Sequence, residues 1–301
     1  MGVFHAGSRA LQDRTGVRDR ADHVGRSLGQ DIKPVAAAFL EQQPLLIVGA
    51  ADPGTGRVWA SALTGAPGFV RATGPRRTAV DGDTARAFAR RLCDRPEGAQ
   101  PDDGPPRVGT IALDPRTRRR MRLNGRLHPT ATGFTVEADQ VFSNCPRHIQ
   151  RRESYETADR TPGTPRHLTE LGDTEAGFIR SADTFFLATV HGSGADASHR
   201  GGGPGFVEVT SPRELTWPDY PGNAMFLSLG NLRTDPRAGL LFLDWETGTT
   251  LQLTGEARTE FAPDGARTVR FTLTEAVCTP AALPLRWSAP EYSPANPDTG
   301  R

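Results

Sequence analysis

Lysine is almost missing from this 301-residue chain: of its 36 basic residues only Lys33 is a lysine, and it lies beside Pro34 in a polar stretch. That scarcity argues against Schiff-base chemistry, and it leaves arginine forks, backbone N–H groups and hydroxyls to hold any phosphate. Cysteine is scarce too. Cys93, Cys145 and Cys278 are scattered, too few for a disulfide scaffold or a four-cysteine zinc site, and they fit a reducing compartment. Mean hydropathy is −0.47, and no apolar run approaches the roughly 18 residues of a membrane span. Met1–Ala10 has no basic region leading into an apolar stretch, so a secretory signal is not expected and a cytoplasmic location is. A net charge of +1 lacks the basic excess of a dedicated nucleic-acid binder. There is no GxGxxG, Walker A, His-Glu-x-x-His or GxSxG pattern, and the seven histidines lack metal-ligand spacing, so no metal is expected.

What is present reads as mainly β, in an α+β chain with helices at the start. Asp19 to Leu28 and Val35 to Leu40 carry helical patterns, the second opening after Pro34. Leu45-Leu-Ile-Val48 is then a short apolar run ending at the turn signal Asp52-Pro-Gly54. Val58–Leu63, Val108–Leu113, the alternating Arg120-Met-Arg-Leu-Asn124 and Gly133–Phe142 follow as strands, with a helix over Asp81–Cys93. Residues 153–167, with Thr161-Pro-Gly-Thr-Pro165, read as a linker. The order then recurs: strands over Phe185–Val190, Phe206–Val209, Gly239–Leu243, Thr250–Thr254 and Arg267–Cys278, and a helix over Asn223–Arg233. From residue 289 onward Pro, Ser, Asn and Gly dominate, and a disordered tail is expected.

The two halves can be laid over one another. Ser61–Val70 matches Ser198–Val207, Leu113-Asp114 matches Leu243-Asp244, and Cys145-Pro146 matches Cys278-Thr-Pro280, at offsets of 137, 130 and 133 residues. Three anchors in one order favour an internal duplication, two small β units packed about a pseudo-twofold axis as in a homodimer. The division is an N-terminal helical segment over 1–44, a first unit over 45–152, the linker over 153–167, a second unit over 168–288 and the tail over 289–301.

The chemistry-bearing run is Asp196-Ala-Ser-His-Arg-Gly-Gly-Gly-Pro-Gly-Phe206, followed by Pro218-Asp-Tyr-Pro-Gly-Asn223. One reading makes Gly201–Gly205 a tight connection and Asn223 a helix cap. The other notes Ser198, His199 and Arg200 at a strand end before flexible glycines, a surface that a ligand can approach closely. A helix starting at Asn223 would turn free N–H groups on a phosphate, with Asn231 along the same face and Arg233 adding charge. Arg116–Arg122 reads as a solvated charge run, and Cys145 and Cys278 as small packed residues.

Ser-His-Arg-Gly-Gly-x-Pro-Gly-Phe-Val, Asp-Tyr-Pro-Gly-Asn, Asn231-Leu-Arg-x-Asp-Pro236 and Gly239-Leu-Leu-Phe-Leu-Asp244 resemble the pyridoxamine 5′-phosphate oxidase-like flavoproteins of the FMN-binding split-barrel fold. Phe4-His-x-Gly, Gly56-Arg-Val-Trp-Ala-Ser61 and Asn144-Cys-Pro-Arg-His-Ile-Gln150 resemble the long members of that group. The resemblance spans about residues 4 to 287 and implies two tandem split β-barrel halves with FMN in a groove between them. It would place Ser198, His199, Arg200 and Gly201 along the flavin and its phosphate, and Asn223 and Asn231 at the phosphate and ribityl end. Asn144, Cys145, Pro146 and Gln150 would close the groove from the first half. Trp59 and Trp287 pack or stack on the ring. The lysine that the authentic oxidases use near the phosphate is absent, as is their arginine–histidine tail pattern, so vitamin B6 oxidation is not implied.

The function expected is an FMN-dependent oxidoreductase passing a hydride or electrons between a small substrate or NAD(P)H and an acceptor, with His199 the candidate catalytic residue. The alternative is a non-catalytic flavin or haem carrier. A small-molecule substrate and an electron-transfer reductase are the partners expected, with no nucleic acid and no membrane. The chain would be a monomer with pseudo-dimeric halves or a homodimer. Ala62 and Leu63 stand where the second half has His199 and Arg200, so one FMN per chain is expected.

Overall fold

The computed structural model describes residues 3–94, 104–143, 146–192, 194–222 and 224–297. Three helices come first: α1 (Ala6–Arg14), α2 (Arg18–Gly25) and α3 (Pro34–Glu41). The first half continues with β1 (Leu45–Ala51), β2 (Val58–Thr64), β3 (Val70–Gly74), β4 (Arg77–Asp81), α4 (Asp83–Cys93), β5 (Arg107–Asp114), β6 (Arg119–Pro129) and β7 (Gly133–Phe142). Short strands β8 (Arg151–Arg152), β9 (Tyr155–Thr157) and β10 (Arg166–Leu168) cross to the second half. That half holds α5 (Asp173–Ser181), β11 (Thr184–His191), β12 (Gly194–Gly201), β13 (Glu208–Ser211), β14 (Glu214–Pro218), α6 (Leu227–Thr234), β15 (Arg237–Leu243), β16 (Thr250–Phe261) and β17 (Arg267–Thr279). Strands β18 (Leu285–Trp287) and β19 (Pro290–Glu291) end the chain.

The sheets of the two halves share one strand order. One runs β2-β1-β5-β6-β7-β4-β3 and the other β12-β11-β15-β16-β17-β14-β13, the same order strand for strand, with β10 added against β17. Thr64 pairs with Leu45 as Gly201 pairs with Thr184, which places Ala62 and Leu63 at the positions of His199 and Arg200. Each half has a bulge at the same point, before Gly125 and before Gly255. A Cβ at either glycine would lie 2.0 Å from a carbonyl oxygen of the neighbouring strand. The fold is two tandem split β-barrels related by a pseudo-twofold.

Burial explains why the central strands read as apolar runs. Leu46 and Val48 of β1 face the core of the first barrel, while Leu45 and Ile47 face a second core between the barrels. Leu240 and Phe242 of β15 likewise face the second barrel's own core, and Leu241 and Leu243 the shared one. Strands buried on both faces lose the alternating pattern. At the seam the backbones touch: a Cβ on Gly109 would stand 2.4 Å from Asp196 and Ala197, and one on the matching Gly239 2.6 Å from Val58.

Two expectations about connecting segments are corrected. Residues 153–167 are not a free linker, since β9 pairs with β18 and β10 with β17. Nor is the tail disordered over its described part. Strand β19 pairs with β8, and the Ser293 N–H donates to Gln150 Oε1 at 2.8 Å, which buries Ser293. Its Pro- and Asn-rich composition reflects turns and polar ties rather than an unfolded chain. No described helix is long and apolar enough to cross a membrane.

Candidate functional site

A cavity of about 360 Å³ opens where the two halves and the N-terminal segment meet. Its second-half walls are the end of β12 (Ser198 to Gly201), residues 218–222 and residues 224, 225, 227 and 228; its first-half walls are Arg120 and Arg122 of β6 with Ser143, Arg147 and His148. Arg20 and Val24 of α2 complete it. Five arginines line it, at positions 20, 120, 122, 147 and 200, against one acid, Asp219, whose carboxylate takes the Arg267 Nε–H at 2.8 Å.

Alternation in β6 builds the first-half wall. Met121 and Leu123 point into the barrel core, so Arg120, Arg122 and Asn124 point the other way, at the second half. The Arg116–Arg122 run is therefore not a solvated face throughout: Arg122 is 6% exposed and Arg120 lines the cavity. The wet face of this strand is the site.

Below the cavity sits Asp196, 2% exposed. It accepts from the Arg122 guanidinium, from Asn124 Nδ2 at 3.0 Å and from Ser228 Oγ at 2.6 Å. Burial pushes its carboxyl up, but Arg122, Ser228 and Asn124 together outweigh that and hold it below the usual range. Ser228 Oγ lies 2.9 Å from Ser198 Oγ, and both serines line the cavity.

His199 is buried, and burial first, then the charges of Arg120, Arg200 and His148, keep its imidazole neutral well below its ordinary value. Its Nδ1 takes an N–H from Arg120 Nη1 at 3.1 Å, so the ring proton sits on Nε2, which has no partner among the described residues. Arg200 is more telling. Its Nε and Nη2 are shielded from water and have no partner among the described residues, and desolvation lowers its pKa. A buried donor without an acceptor costs about 1–3 kcal/mol, more when charged.

Glycine at 201 is required by a close approach between the halves, because a Cβ there would lie 2.0 Å from the His148 carbonyl oxygen. The His148 ring in turn packs on Tyr220, centroids 4.8 Å apart. On the other side α1 braces the wall. Ser8 Oγ donates to the Phe226 carbonyl at 3.2 Å and Gln12 Nε2 to that of Met225 at 3.0 Å. These two carbonyls precede α6, and Phe226 adopts a left-handed φ of 52°.

Of the residues expected in the site, Ser198, His199, Arg200 and Gly201 come together at the cavity. Asn144, Cys145 and Asn223 lie outside the described residues. The helix expected from Asn223 begins at Leu227, because the left-handed Phe226 interrupts the path. Asn231 is buried away from the cavity, its amide tied to His5 Nε2 at 2.9 Å and to Thr189 Oγ1 at 3.0 Å. Gln150 is likewise a tie, donating to the Gly202 carbonyl at 3.1 Å, while Pro146 and Arg233 are exposed and line no part of it. Trp59 and Trp287 are packed in strands, Trp287 against Trp245 and Tyr155. Residues that sequence reasoning missed are Arg20, Arg120, Arg122, Arg147, His148 and Ser228. A signal for two existed in the quoted Asn144–Gln150 run, which contains Arg147 and His148.

Chemically the cavity can hold an anion on its arginines and pack a ring on Tyr220. Among the described residues no group of His, Cys, Asp and Glu is placed to hold a metal.

Residues 171–282 match the family described as pyridoxamine 5′-phosphate oxidase. No curated protein matches the chain. Among solved structures, a putative pyridoxamine 5′-phosphate oxidase from Lactobacillus delbrueckii is 17% identical, with 36% of this chain covering 94% of that one at a TM-score of 0.30. HupZ from Group A Streptococcus is 9% identical, with 36% covering 98% at 0.30. An FAD binding protein from Mycobacterium smegmatis is 15% identical, with 39% covering 98% at 0.28.

Proposed function

We propose, from the match of residues 171–282 to the pyridoxamine 5′-phosphate oxidase family, that the chain is an FMN-binding oxidoreductase of that kind. The observation that carries the reading is Arg200, with two shielded guanidinium nitrogens awaiting an acceptor in a cavity lined by four further arginines. A phosphate dianion supplies such acceptors, and bidentate contact is what a guanidinium fork favours. The volume falls in the range of about 300–1,000 Å³ usual for small-ligand sites.

The residues present fit the group. Arg200 and Arg120 would neutralise the phosphate, and the bare Gly201 backbone leaves room beside it. Ser198 and the Nε2–H of His199 supply polar contacts, while Tyr220 offers an aromatic face. A bound flavin would supply exchange of a hydride or electron pair. The protein's part is to bind, orient and exclude water. His199, held neutral, acts as a hydrogen-bond donor rather than a proton store. The second reading is a flavin or haem carrier that does not turn over, since His199 is held neutral and serves the site as a hydrogen-bond contact.

The purified protein is expected to be yellow or to become so with added FMN, with flavin bands in its absorption spectrum. A haem spectrum, or a colourless protein that takes up no FMN, contradicts the proposal. Turnover of NAD(P)H well above the free-FMN background separates the enzyme from the carrier.

A further inference from the structure

We propose that Asp196 is a positioning residue: acting through Ser228, it fixes Ser198 as a hydrogen-bond acceptor toward the cavity, so that the site selects a ligand bearing an N–H or O–H donor at that point. The inference rests on the flavin reading only for the ligand used to test it.

The argument is an account of protons. An ionised carboxylate can only accept, and Asp196 is ionised, being clasped by the Arg122 guanidinium and by Asn124 Nδ2. Ser228 has one hydroxyl proton and two candidate acceptors: Asp196 Oδ2 at 2.6 Å and Ser198 Oγ at 2.9 Å. The shorter, charge-assisted bond takes it. Ser228 is then left with lone pairs for Ser198. Ser198 therefore spends its own proton within the protein, on Ser228 Oγ at 2.9 Å or on the Leu187 carbonyl at 3.4 Å. No described group of the protein donates to Ser198 Oγ once Ser228 is committed. The lone pair left at the cavity wall is free to accept from a ligand.

The setting gives that lone pair its value. The guanidinium groups around the cavity only donate, and the Nε2–H of His199 donates as well. A ligand that is acceptor on every side would satisfy them and leave Ser198 unpaired, whereas one that combines an anionic group with a donor matches both. The relay also reports on assembly. Asp196 lies on β12, Ser228 on α6, and Arg122 and Asn124 on β6 of the other half, so the carboxylate that sets the polarity is held by residues of both halves.

Two measurements test this. The first needs no ligand: neutron diffraction of the deuterium-exchanged apoprotein is expected to place the Ser228 deuteron on the line to Asp196 and that of Ser198 toward Ser228 or Leu187. A Ser198 deuteron directed into the cavity overturns the proposal. The second is a double-mutant cycle on FMN affinity and on the position of the bound flavin's absorption bands. Ser198→Ala is expected to weaken FMN about tenfold, the equivalent of one neutral hydrogen bond. Asp196→Asn, and Ser228→Ala as the variant that keeps the Arg122–Asp196 pair intact, are each expected to weaken FMN and shift the bands in wild type. Neither is expected to add to the effect in the Ser198→Ala background. Effects that simply add in both backgrounds make Asp196 structural and overturn the proposal. A wild-type protein that binds no FMN counts against the flavin reading, and the neutron map still decides the polarity.

Discussion

Arg200 has two guanidinium nitrogens, Nε and Nη2, that are out of water and without a partner among the described residues, beside an imidazole that burial keeps uncharged. Such a group is costly in the empty protein and strongly favourable once an anion meets it. Arg200→Ala is expected to weaken FMN binding about ten- to a hundredfold, the loss of one charge-assisted bond of about 1.5–3 kcal/mol. Because it also removes two shielded N–H groups with no acceptor among the described residues, the same substitution should leave the denaturation midpoint of the apoprotein unchanged or raise it. Arg200→Lys should not restore affinity, since an ammonium cannot reproduce the planar fork. Titration of the three proteins with FMN, alongside urea melts without it, checks both halves of the expectation. Unchanged FMN affinity in Arg200→Ala would remove this side chain from the site.

The elements that frame the cavity differ in how visible they are in sequence. Ser198 to Gly201 stood out because polar residues end a strand just before a glycine run. Arg120 and Arg122 did not, because a strand with one polar face looks the same whether that face meets water or another domain; only docking of the second half decides it. Asn231 suggested a ligand contact through its place on a helix face, but that face turns toward α1 and β11, where His5 and Thr189 take its amide. The Phe4-His-x-Gly run shows the same limit. Phe4 is buried, His5 caps α1, and Gly7 lets α1 lie directly on α6, with the Gly230 carbonyl oxygen 2.2 Å from where a Cβ would sit. Gly7→Ala is accordingly expected to lift α1 from α6 and to destabilise the protein by about 1–3 kcal/mol, the usual cost of overpacking. It should also weaken FMN binding, since the Met225 and Phe226 carbonyls lose Gln12 and Ser8. Urea unfolding followed by tryptophan fluorescence measures the first effect; a midpoint equal to wild type would show that α1 does not depend on this contact.

At the scale of the whole molecule, two barrels of one strand order pack together, and they differ in the residues that face the groove. The repeated strand order was legible from three sequence anchors because turns and bulges demand particular residues, such as the glycines at 125 and 255. What filled the two grooves was legible only in part. In the second half the connection from β14 to α6 runs from 219 to 226, and its residues 219–222, 224 and 225 line the cavity, whereas in the first half only Gly82 separates β4 from α4. Ala62 and Leu63 replace His199 and Arg200, and where Arg122 reaches across to Asp196, Gln252 spends its amide on the Ala60 carbonyl at 2.7 Å. The degenerate groove thus has neither the wall nor the charge to desolvate a phosphate dianion.

The measurement that bears most directly on this account is the saturation stoichiometry of FMN. Apoprotein of known concentration is titrated with FMN, and the flavin retained after removal of the free ligand is quantified on the same sample. The account predicts saturation at one flavin per chain. Two per chain would contradict the loss of the first-half groove, and none would contradict the assignment of the Arg200 cavity to a flavin.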